Sequence, residues 1–144
     1  MPEPTDETQK RFIAILNKKV EPGRLFNVLG HLASGLSAQL SPEDEACFVD
    51  YRDADGELHP SLSHYPFIVL RANNSNQIRK ARQEAQARGI KFTDFTHTMV
   101  EGGSVAQQQI TSNTAEAELE YYGICLFGDT LELGEFTKKF SLYK

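Results

Sequence analysis

Short apolar runs alternate with amphipathic segments along this chain, and that alternation limits the folds it can adopt. Phe12 to Leu16 is a continuous apolar run of strand length, and Pro22-Gly23 and a helical pattern from Arg24 to about Leu40 follow it. A second apolar run, Tyr65 to Leu70, precedes a predicted helix from about Asn76 to Arg88. The repeated strand–helix order predicts a layered α/β domain in which parallel strands are joined by right-handed helical crossovers.

Local periodicity and turn signals predict the remaining strands, helix and loops. The Asp-Gly pair in Asp53-Ala54-Asp55-Gly56 predicts a hairpin turn after a strand-like run. Glu101 to Thr114 is rich in Gly, Gln, Ser and Thr, which predicts a loop or lid. We predict strands at Ala46 to Tyr51, Ile90 to Phe95 and Glu120 to Phe127, a short helix from about Thr130 to Lys138, and a C-terminal segment, Phe140 to Leu142, that packs back on the domain.

A length of 144 residues suits one domain, which we predict to span residues 10–144 after a flexible tail of residues 1–9. The N-terminus is polar and acidic, unlike a secretion signal, and the apolar runs are too short to span a bilayer. We therefore expect a cytoplasmic protein without a membrane partner. Cys47 and Cys125 lie in apolar, strand-like surroundings, which predicts buried thiols rather than a disulfide.

Charge and motifs disfavour several classes of function. The chain has 20 acidic and 15 basic side chains. Its net charge is therefore negative, which is unfavourable for binding the phosphates of a nucleic acid. It contains no Walker loop, no G-x-G-x-x-G and no G-x-S-x-G, so nucleotide hydrolysis, Rossmann redox chemistry and α/β-hydrolase chemistry are not expected. Its four histidines lack the spacing of metal ligands, and His59 and His64 are predicted to lie in a loop. We predict neither a metal nor a cofactor.

The first predicted helix carries a polar stripe opposite a broad apolar face. At about 100° per residue, the apolar face comprises Leu25, Phe26, Leu29, Leu32, Ala33, Leu36 and Leu40, and the stripe comprises Arg24, Asn27, His31, Ser34 and Ala38. The stripe has no acid and no lysine, whereas the outer side of the second helix is charged with both signs. An arginine beside the free N–H groups of a helix start can bind phosphate or carboxylate. The alternative interpretation is an ordinary solvated face.

A second candidate is Asp94-Phe95-Thr96-His97-Thr98, at the carboxyl end of a predicted strand, where open α/β sheets commonly place their sites. Asp94 there could orient a histidine or hold a water, with Thr98 as a neutral hydrogen-bond donor. The alternative is a helix cap or turn, for which Asp and Thr side chains are well suited.

These two segments resemble the type II peptidyl-tRNA hydrolases. Gly23, Arg24 and His31 match a pattern close to G-K-x-A-A-Q-x-x-H-A, and Asp94 and Thr98 match D-A-G-x-T. From about Lys10 onward the chain is more similar still to an uncharacterised family, a domain of unknown function with this fold. That similarity is carried by Leu16 to Lys19, Asn27, His31, Phe67 to Leu70, Asp94-Phe95, Met99 and Thr137 to Leu142.

The resemblance implies a three-layer α/β/α fold with a mixed sheet of about four strands, and a functional face at the amino end of the first helix. The chain departs from the hydrolases at four places: Asn17-Lys18 replaces a D-L pair, Arg24 replaces lysine, Val28 replaces glutamine and Thr96 replaces glycine. The planar fork of Arg24 suits carboxylate or phosphate better than it suits proton transfer.

Three hypotheses follow. The first is a protein that binds an anionic small molecule or peptide, with or without altered hydrolase activity; Arg24, Asn27, Asn17 and Ser34 would contact the ligand, and His31, Asp94 and Thr98 would carry any catalysis. The second is an esterase acting on aminoacyl or peptidyl adducts of tRNA. The third is a non-catalytic interaction module in which the stripe forms a homodimer contact.

Overall fold

A five-stranded mixed sheet and four α-helices make up most of the computed structural model of this chain, which describes residues 6–42 and 45–144. In chain order the elements are β1 (Lys10–Asn17), α1 (Pro22–Gln39), β2 (Phe48–Arg52), β3 (Leu58–Ser63), β4 (Phe67–Ala72), α2 (Ser75–Arg88), β5 (Lys91–Thr96), α3 (Ser104–Ser112), β6 (Tyr121–Asp129), α4 (Thr130–Thr137) and β7 (Ser141–Leu142). Short 3-10 turns lie at His97–Met99 and Glu116–Glu118.

The strands of the sheet are ordered β5-β6-β1-β4-β7. β1 and β4 are parallel, β6 is antiparallel to both β1 and β5, and β7 is antiparallel to β4. The mixed α/β class expected from the sequence is confirmed, with five strands in place of about four. The fifth is β7, at the C-terminal end that was expected to pack back. The finer assignment, a three-layer fold of the peptidyl-tRNA hydrolase II type, stays a prediction.

β1 shows why the apolar runs are continuous rather than alternating. Its side chains point in turn to the two faces of the sheet, so Phe12, Ala14 and Leu16 pack with α1, while Ile13 and Ile15 pack with the buried residues of α2 and α4. A central strand covered on both faces must be apolar at every position. Helices therefore lie on both sides of the sheet, and each side has its own hydrophobic core.

α1 begins with proline in its first turn and packs through Leu25, Val28, Leu32 and Leu36, which recur at helical spacing. Beneath it, a Cβ at Gly123 of β6 would lie 2.9–3.2 Å from side-chain atoms of Leu16, Leu32 and Val28, so glycine lets the helix approach the sheet closely. Phe26, expected on this apolar face, is instead 75 % exposed. It follows Leu25 by one residue, which turns it toward the flank of the helix.

The second helix begins and ends as its sequence indicates. Asn74 caps it by accepting a hydrogen bond from the Gln77 N–H at 3.0 Å, and Gly89 ends it with a left-handed φ of 67°. Ile78, Ala81 and Ala85 form its buried face. α2 packs on the face of the sheet opposite to α1.

Two segments expected to be loops are regular structure. Glu101 to Thr114 contains α3, which begins after Gly103, has no buried residue, and consists of Gln, Ser, Thr and aliphatic residues that a helix tolerates. The segment with His59 and His64 contains β3, which pairs with β2 in a separate hairpin. The expected turn at Asp53 to Gly56 connects these strands, and His59 Nε2 lies 2.9 Å from Asp53 Oδ2.

Part of the predicted N-terminal tail is hydrogen-bonded. The Thr130 N–H donates to the Gln9 carbonyl at 3.0 Å, and the Thr130 hydroxyl donates to the Thr8 carbonyl at 2.6 Å. Residues 1–5 of that tail lie outside the described residues. Cys125 is fully buried, and burial raises the pKa of its thiol to about 12. Among the helices of residues 6–42 and 45–144, none is long and apolar enough to cross a membrane.

Candidate functional site

The carboxyl ends of the two parallel strands meet the starts of two helices. β1 leads into α1 and β4 leads into α2, and because these helices pack on opposite faces, a crevice opens between their amino ends. Ligands of open α/β sheets bind in such crevices. A polar cavity of about 1020 Å³ fills this place, and we call it the edge cavity. Its wall includes Asn17, Lys19, Arg24, Ser75, His97 and Tyr122.

The charge of the edge cavity is mostly positive. Lys19, Arg24, Arg79 and Lys80 line it, together with the acids Glu21 and Glu120. The start of α2 has no acidic residue in its first turn or at its N-cap, Asn74, so its backbone N–H groups and positive dipole end are not neutralised there. At the start of α1, the N-cap is the acid Glu21 and the first helical residue is proline, which has no N–H. The cavity therefore offers hydrogen-bond donors from the start of α2 and from several side chains.

Asn17, a predicted ligand-binding residue, lies on the wall of this cavity but is held by the protein. It is 4 % exposed; its Nδ2 donates to the Tyr121 carbonyl, and its Oδ1 accepts from the Lys19 N–H, both at 3.0 Å. These bonds join the end of β1 to the start of β6 and shape the turn that leads to Lys19. Asn17 thus fixes the turn that places Lys19 at the edge cavity.

Arg79 and Glu116 fix the opposite wall of the edge cavity. Arg79 Nε donates to Glu116 Oε2 at 2.9 Å, and a second guanidinium nitrogen donates to the Leu119 carbonyl at 2.6 Å. The Tyr121 hydroxyl also donates to Glu116, at 2.8 Å. The Tyr121 bond and the Arg79 bond lower the pKa of Glu116, and burial raises the pKa of Tyr121 to about 12. The guanidinium of Arg79 is therefore already bonded to protein groups, the Glu116 carboxylate and the Leu119 carbonyl.

The polar stripe of α1 lines a groove that continues from the edge cavity. Arg24 and Asn27 line a cavity of about 290 Å³ with Phe95 and Val100. Asn27 and His31 line the next one, of about 470 Å³, which shares those same two apolar residues. We call these two cavities together the helix groove. The His31 ring centroid lies 6.0 Å from that of Phe95. Ser34, one turn further along α1, is exposed and lies outside both cavities.

The predicted acid–base pair of His31 and Asp94 does not form. Asp94 borders the helix groove, but its side chain points toward α2, where its Oδ2 accepts from Arg82 Nε at 2.8 Å. Thr93, the preceding residue, points toward α1 and donates its hydroxyl to the Leu32 carbonyl at 2.8 Å. Successive residues of a strand face opposite sides of the sheet, so the Asp94 carboxylate and the His31 ring lie on different sides.

Thr98, the third predicted catalytic residue, is 3 % exposed and belongs to a chain of hydroxyl groups. Its Oγ1 lies 2.7 Å from Oγ1 of Thr96 and 2.7 Å from Oγ1 of Thr111, and Thr111 in turn donates to the Gln107 carbonyl. This chain ties α3 to the end of β5. These bonds give Thr98 a structural role, and its catalytic role stays a prediction.

A family model for a protein of unknown function, DUF2000, matches residues 10–144. The chain belongs to this family. A solved structure of a protein of unknown function from Agrobacterium tumefaciens strain C58 is similar over 94 % of this chain and 98 % of that one, with 25 % identity and a TM-score of 0.80. Comparison with curated proteins gave no match. The similarity to the solved structure supports the mixed α/β fold of this DUF2000 member.

Among the residues that line the edge cavity, Lys19 and His97 were not predicted as site residues from the sequence. Lys19 follows β1 directly, and residues at the carboxyl end of a parallel strand are a recognised signal for a site. His97 lies within the segment Asp94 to Thr98, which was selected for its aspartate and threonine. Within the described part of the chain, no cluster of three His, Cys, Asp or Glu residues could hold a metal ion.

Proposed function

We propose that this protein binds a small molecule or peptide through an anionic group, a phosphate or a carboxylate, held in the edge cavity by Arg24. The observation that carries this proposal is the free guanidinium of Arg24. In the region covered by residues 6–42 and 45–144, Arg24 has no hydrogen bond, ion pair or ring contact. It is nevertheless placed where the edge cavity and the helix groove meet.

The three arginines of α2 are paired with carboxylates. Arg79 bonds to Glu116, Arg82 bonds to Asp94, and Arg88 contacts both Glu84 and Glu135. Arginine offers a planar fork of donors that matches a carboxylate or phosphate. A ligand oxyanion would give Arg24 the kind of partner that the protein supplies to the arginines of α2.

The backbone of the edge cavity supports the same proposal. The first N–H groups of an α-helix have no acceptor within the helix, and an anion placed there receives both hydrogen bonds and the favourable end of the helix dipole. In α2 the Asn74 side chain caps Gln77, which is the third helical residue. Ser75 and Asn76, the two helical residues before it, line the cavity.

The helix groove suits the remainder of such a ligand. Beyond Arg24, its walls combine the apolar side chains of Phe95 and Val100 with the amide of Asn27 and the ring of His31. A polar anchor followed by a partly apolar groove matches the general construction of small-molecule sites. A ligand with an anionic end and a larger neutral body fits both parts.

The proposal is tested by thermal unfolding of the full chain with inorganic phosphate as the probe, against sodium chloride at equal ionic strength. A ligand that binds the folded state raises Tm. We expect phosphate to raise the Tm of the wild type and Arg24→Met to remove that increase. Glu21→Gln, which deletes an acid from the same cavity, should enlarge it.

Phosphate also stabilises proteins by general exclusion from their surface, so a matched variant is needed. Arg88→Met removes an arginine that lies away from the cavity and already has two acidic partners. It should keep the full phosphate response. If Arg24→Met and Arg88→Met respond alike, the effect is general and the proposed site is wrong.

A further inference from the structure

His97 is bonded to the start of β6 in both directions. Its backbone N–H donates to the Glu120 carbonyl at 2.9 Å, and its ring Nδ1 accepts from the Glu120 N–H at 3.0 Å. The residue follows β5 directly, and its ring is half-buried on the wall of the edge cavity. The bonded pair therefore fixes the ring at the place where β5 and β6 meet.

The bond to Nδ1 determines which ring nitrogen carries the proton. A backbone N–H can donate only to an unprotonated nitrogen, so Nδ1 is the acceptor and the neutral ring carries its hydrogen on Nε2. Within the part of the chain that the structure describes, Nε2 has no hydrogen-bond partner. The protein thus uses one nitrogen of His97 to hold the ring and leaves an N–H donor for the cavity.

Basic side chains outnumber the two acids, Glu21 and Glu120, on the cavity wall around this donor, which favours an anionic acceptor. Arg24 and Lys19 come from the turn and first helix after β1, and Lys80 comes from α2. Glu120 lies beside His97, and its backbone is used in both bonds of the pair. An oxygen held by Arg24 in this cavity has lone pairs left for a neutral donor such as the His97 Nε2–H.

We propose that His97 contacts the ligand, and that its Nε2–H donates to an oxygen of the same anionic group that Arg24 binds. This assignment rests on the proposed function and adds to it a second, neutral hydrogen-bond donor for the anionic group of the ligand. The role is one of binding and orientation, and it needs no proton transfer from the ring.

Two substitutions distinguish the acceptor role of Nδ1 from the donor role of Nε2 in His97. Asparagine can place an oxygen near the position of Nδ1, so His97→Asn keeps an acceptor for the Glu120 N–H and loses the Nε2 donor. Glutamine reaches the position of Nε2, so His97→Gln keeps a donor for the ligand. A hydrogen bond to a charged group is lost in the first variant, which corresponds to roughly tenfold weaker binding or more.

The experiment titrates the full chain with inorganic phosphate, and separately with acetate, and follows the imidazole nitrogens by long-range ¹H–¹⁵N NMR. We expect His97 to have an unprotonated Nδ1 without ligand, and the Nε2 signal to shift more than the Nδ1 signal on titration. Dissociation constants should rank wild type as tightest, then His97→Gln, then His97→Asn. The anion that binds more tightly distinguishes phosphate from carboxylate chemistry.

Arg24→Met is included in the same titrations. If it loses binding while His97→Asn binds as tightly as the wild type, the assignment of His97 is wrong and the proposed function stands. A proton found on Nδ1 in the free protein also overturns the assignment. If neither anion binds the wild type, or Arg24→Met binds equally well, the proposed function fails and the inference fails with it.

Discussion

α1 and α2 have similar inner faces and different outer ones. Each packs on the sheet through buried apolar residues, such as Leu32 in α1 and Ile78 in α2. On the outer side, the arginines of α2 are paired with acids from α2 itself, β5, α4 and the turn at Glu116–Glu118. Arg24 and His31 of α1 are exposed, and Arg24 has no partner within the described residues.

The difference teaches that polar residues on a helix can belong to the fold or be left for another molecule. The ion pairs of α2 fasten it to its neighbours, so its polar side chains contribute to stability. On α1 the apolar inner face packs on the sheet, and on the outer face the guanidinium of Arg24 bonds to none of the described residues. Substitutions on the two helices should therefore separate stability from binding.

The largest effect is expected on the inner face of α1. Leu32 is 1 % exposed, and Leu32→Ala removes its buried contacts and leaves a cavity. We expect a loss of about 3 kcal/mol in the free energy of unfolding. Urea denaturation monitored by circular dichroism measures it, and Ser34→Ala on the exposed side is the matched control, with a change of at most about 0.5 kcal/mol. Equal losses in the two variants would contradict the division between the faces.

The next effect concerns the ion pair between α2 and β5. Arg82→Met leaves the Asp94 carboxylate, whose side chain is 18 % exposed, without its partner. We expect a loss of about 1–2 kcal/mol, below that for a fully buried pair because water still reaches both groups. The double variant Arg82→Met/Asp94→Asn should recover part of the loss. A single variant as stable as the wild type would show that this pair does not fasten α2.

A smaller effect is expected from Glu116, and it depends on pH. Its pKa is lowered in the folded state by the bonds from Tyr121 and Arg79. A carboxyl with a lowered folded pKa stabilises the protein fully above its unfolded pKa, here about 4.5, and loses that contribution as the pH falls through the folded pKa. The stability advantage of wild type over Glu116→Gln should therefore shrink between about pH 5 and pH 3. Denaturation curves of both proteins at several pH values measure it, and a constant advantage would be inconsistent with the lowered pKa.

Much of the fold was predictable because the type and ends of several helices and strands are indicated by residues within those elements or next to them. The apolar run of β1 requires burial on both faces, and the caps at Asn74 and Gly89 mark the ends of α2. Leu25, Leu32 and Leu36 of the predicted apolar face give α1 its period. α3 was missed because none of its residues is buried, so it has no apolar periodicity to detect. β7 has only two residues, too few for a pattern.

The candidate site was predictable only in part, because sequence spacing does not specify a partner on another element. The stripe from Arg24 to His31 does line a connected groove. The direction of the Asp94 side chain depends on the register of β5, and its bond depends on where α2 places Arg82. Thr98 was selected as a donor, but the helix that buries it, α3, was not foreseen. The position of the His97 ring depends on a backbone contact with Glu120, which lies 23 residues away.

The smallest effect on stability is expected for Arg24→Met. This variant tests most directly whether the outer faces of α1 and α2 differ. The methionine keeps most of the aliphatic length of the side chain and removes only the guanidinium, which bonds to none of the described residues. An exposed side chain without such features changes the free energy of unfolding by about 0.5 kcal/mol or less. Urea denaturation in chloride, without phosphate, measures it beside Arg82→Met. If Arg24→Met is as destabilising as Arg82→Met, its guanidinium serves the fold as the arginines of α2 do, and the outer face of α1 is not free for a ligand.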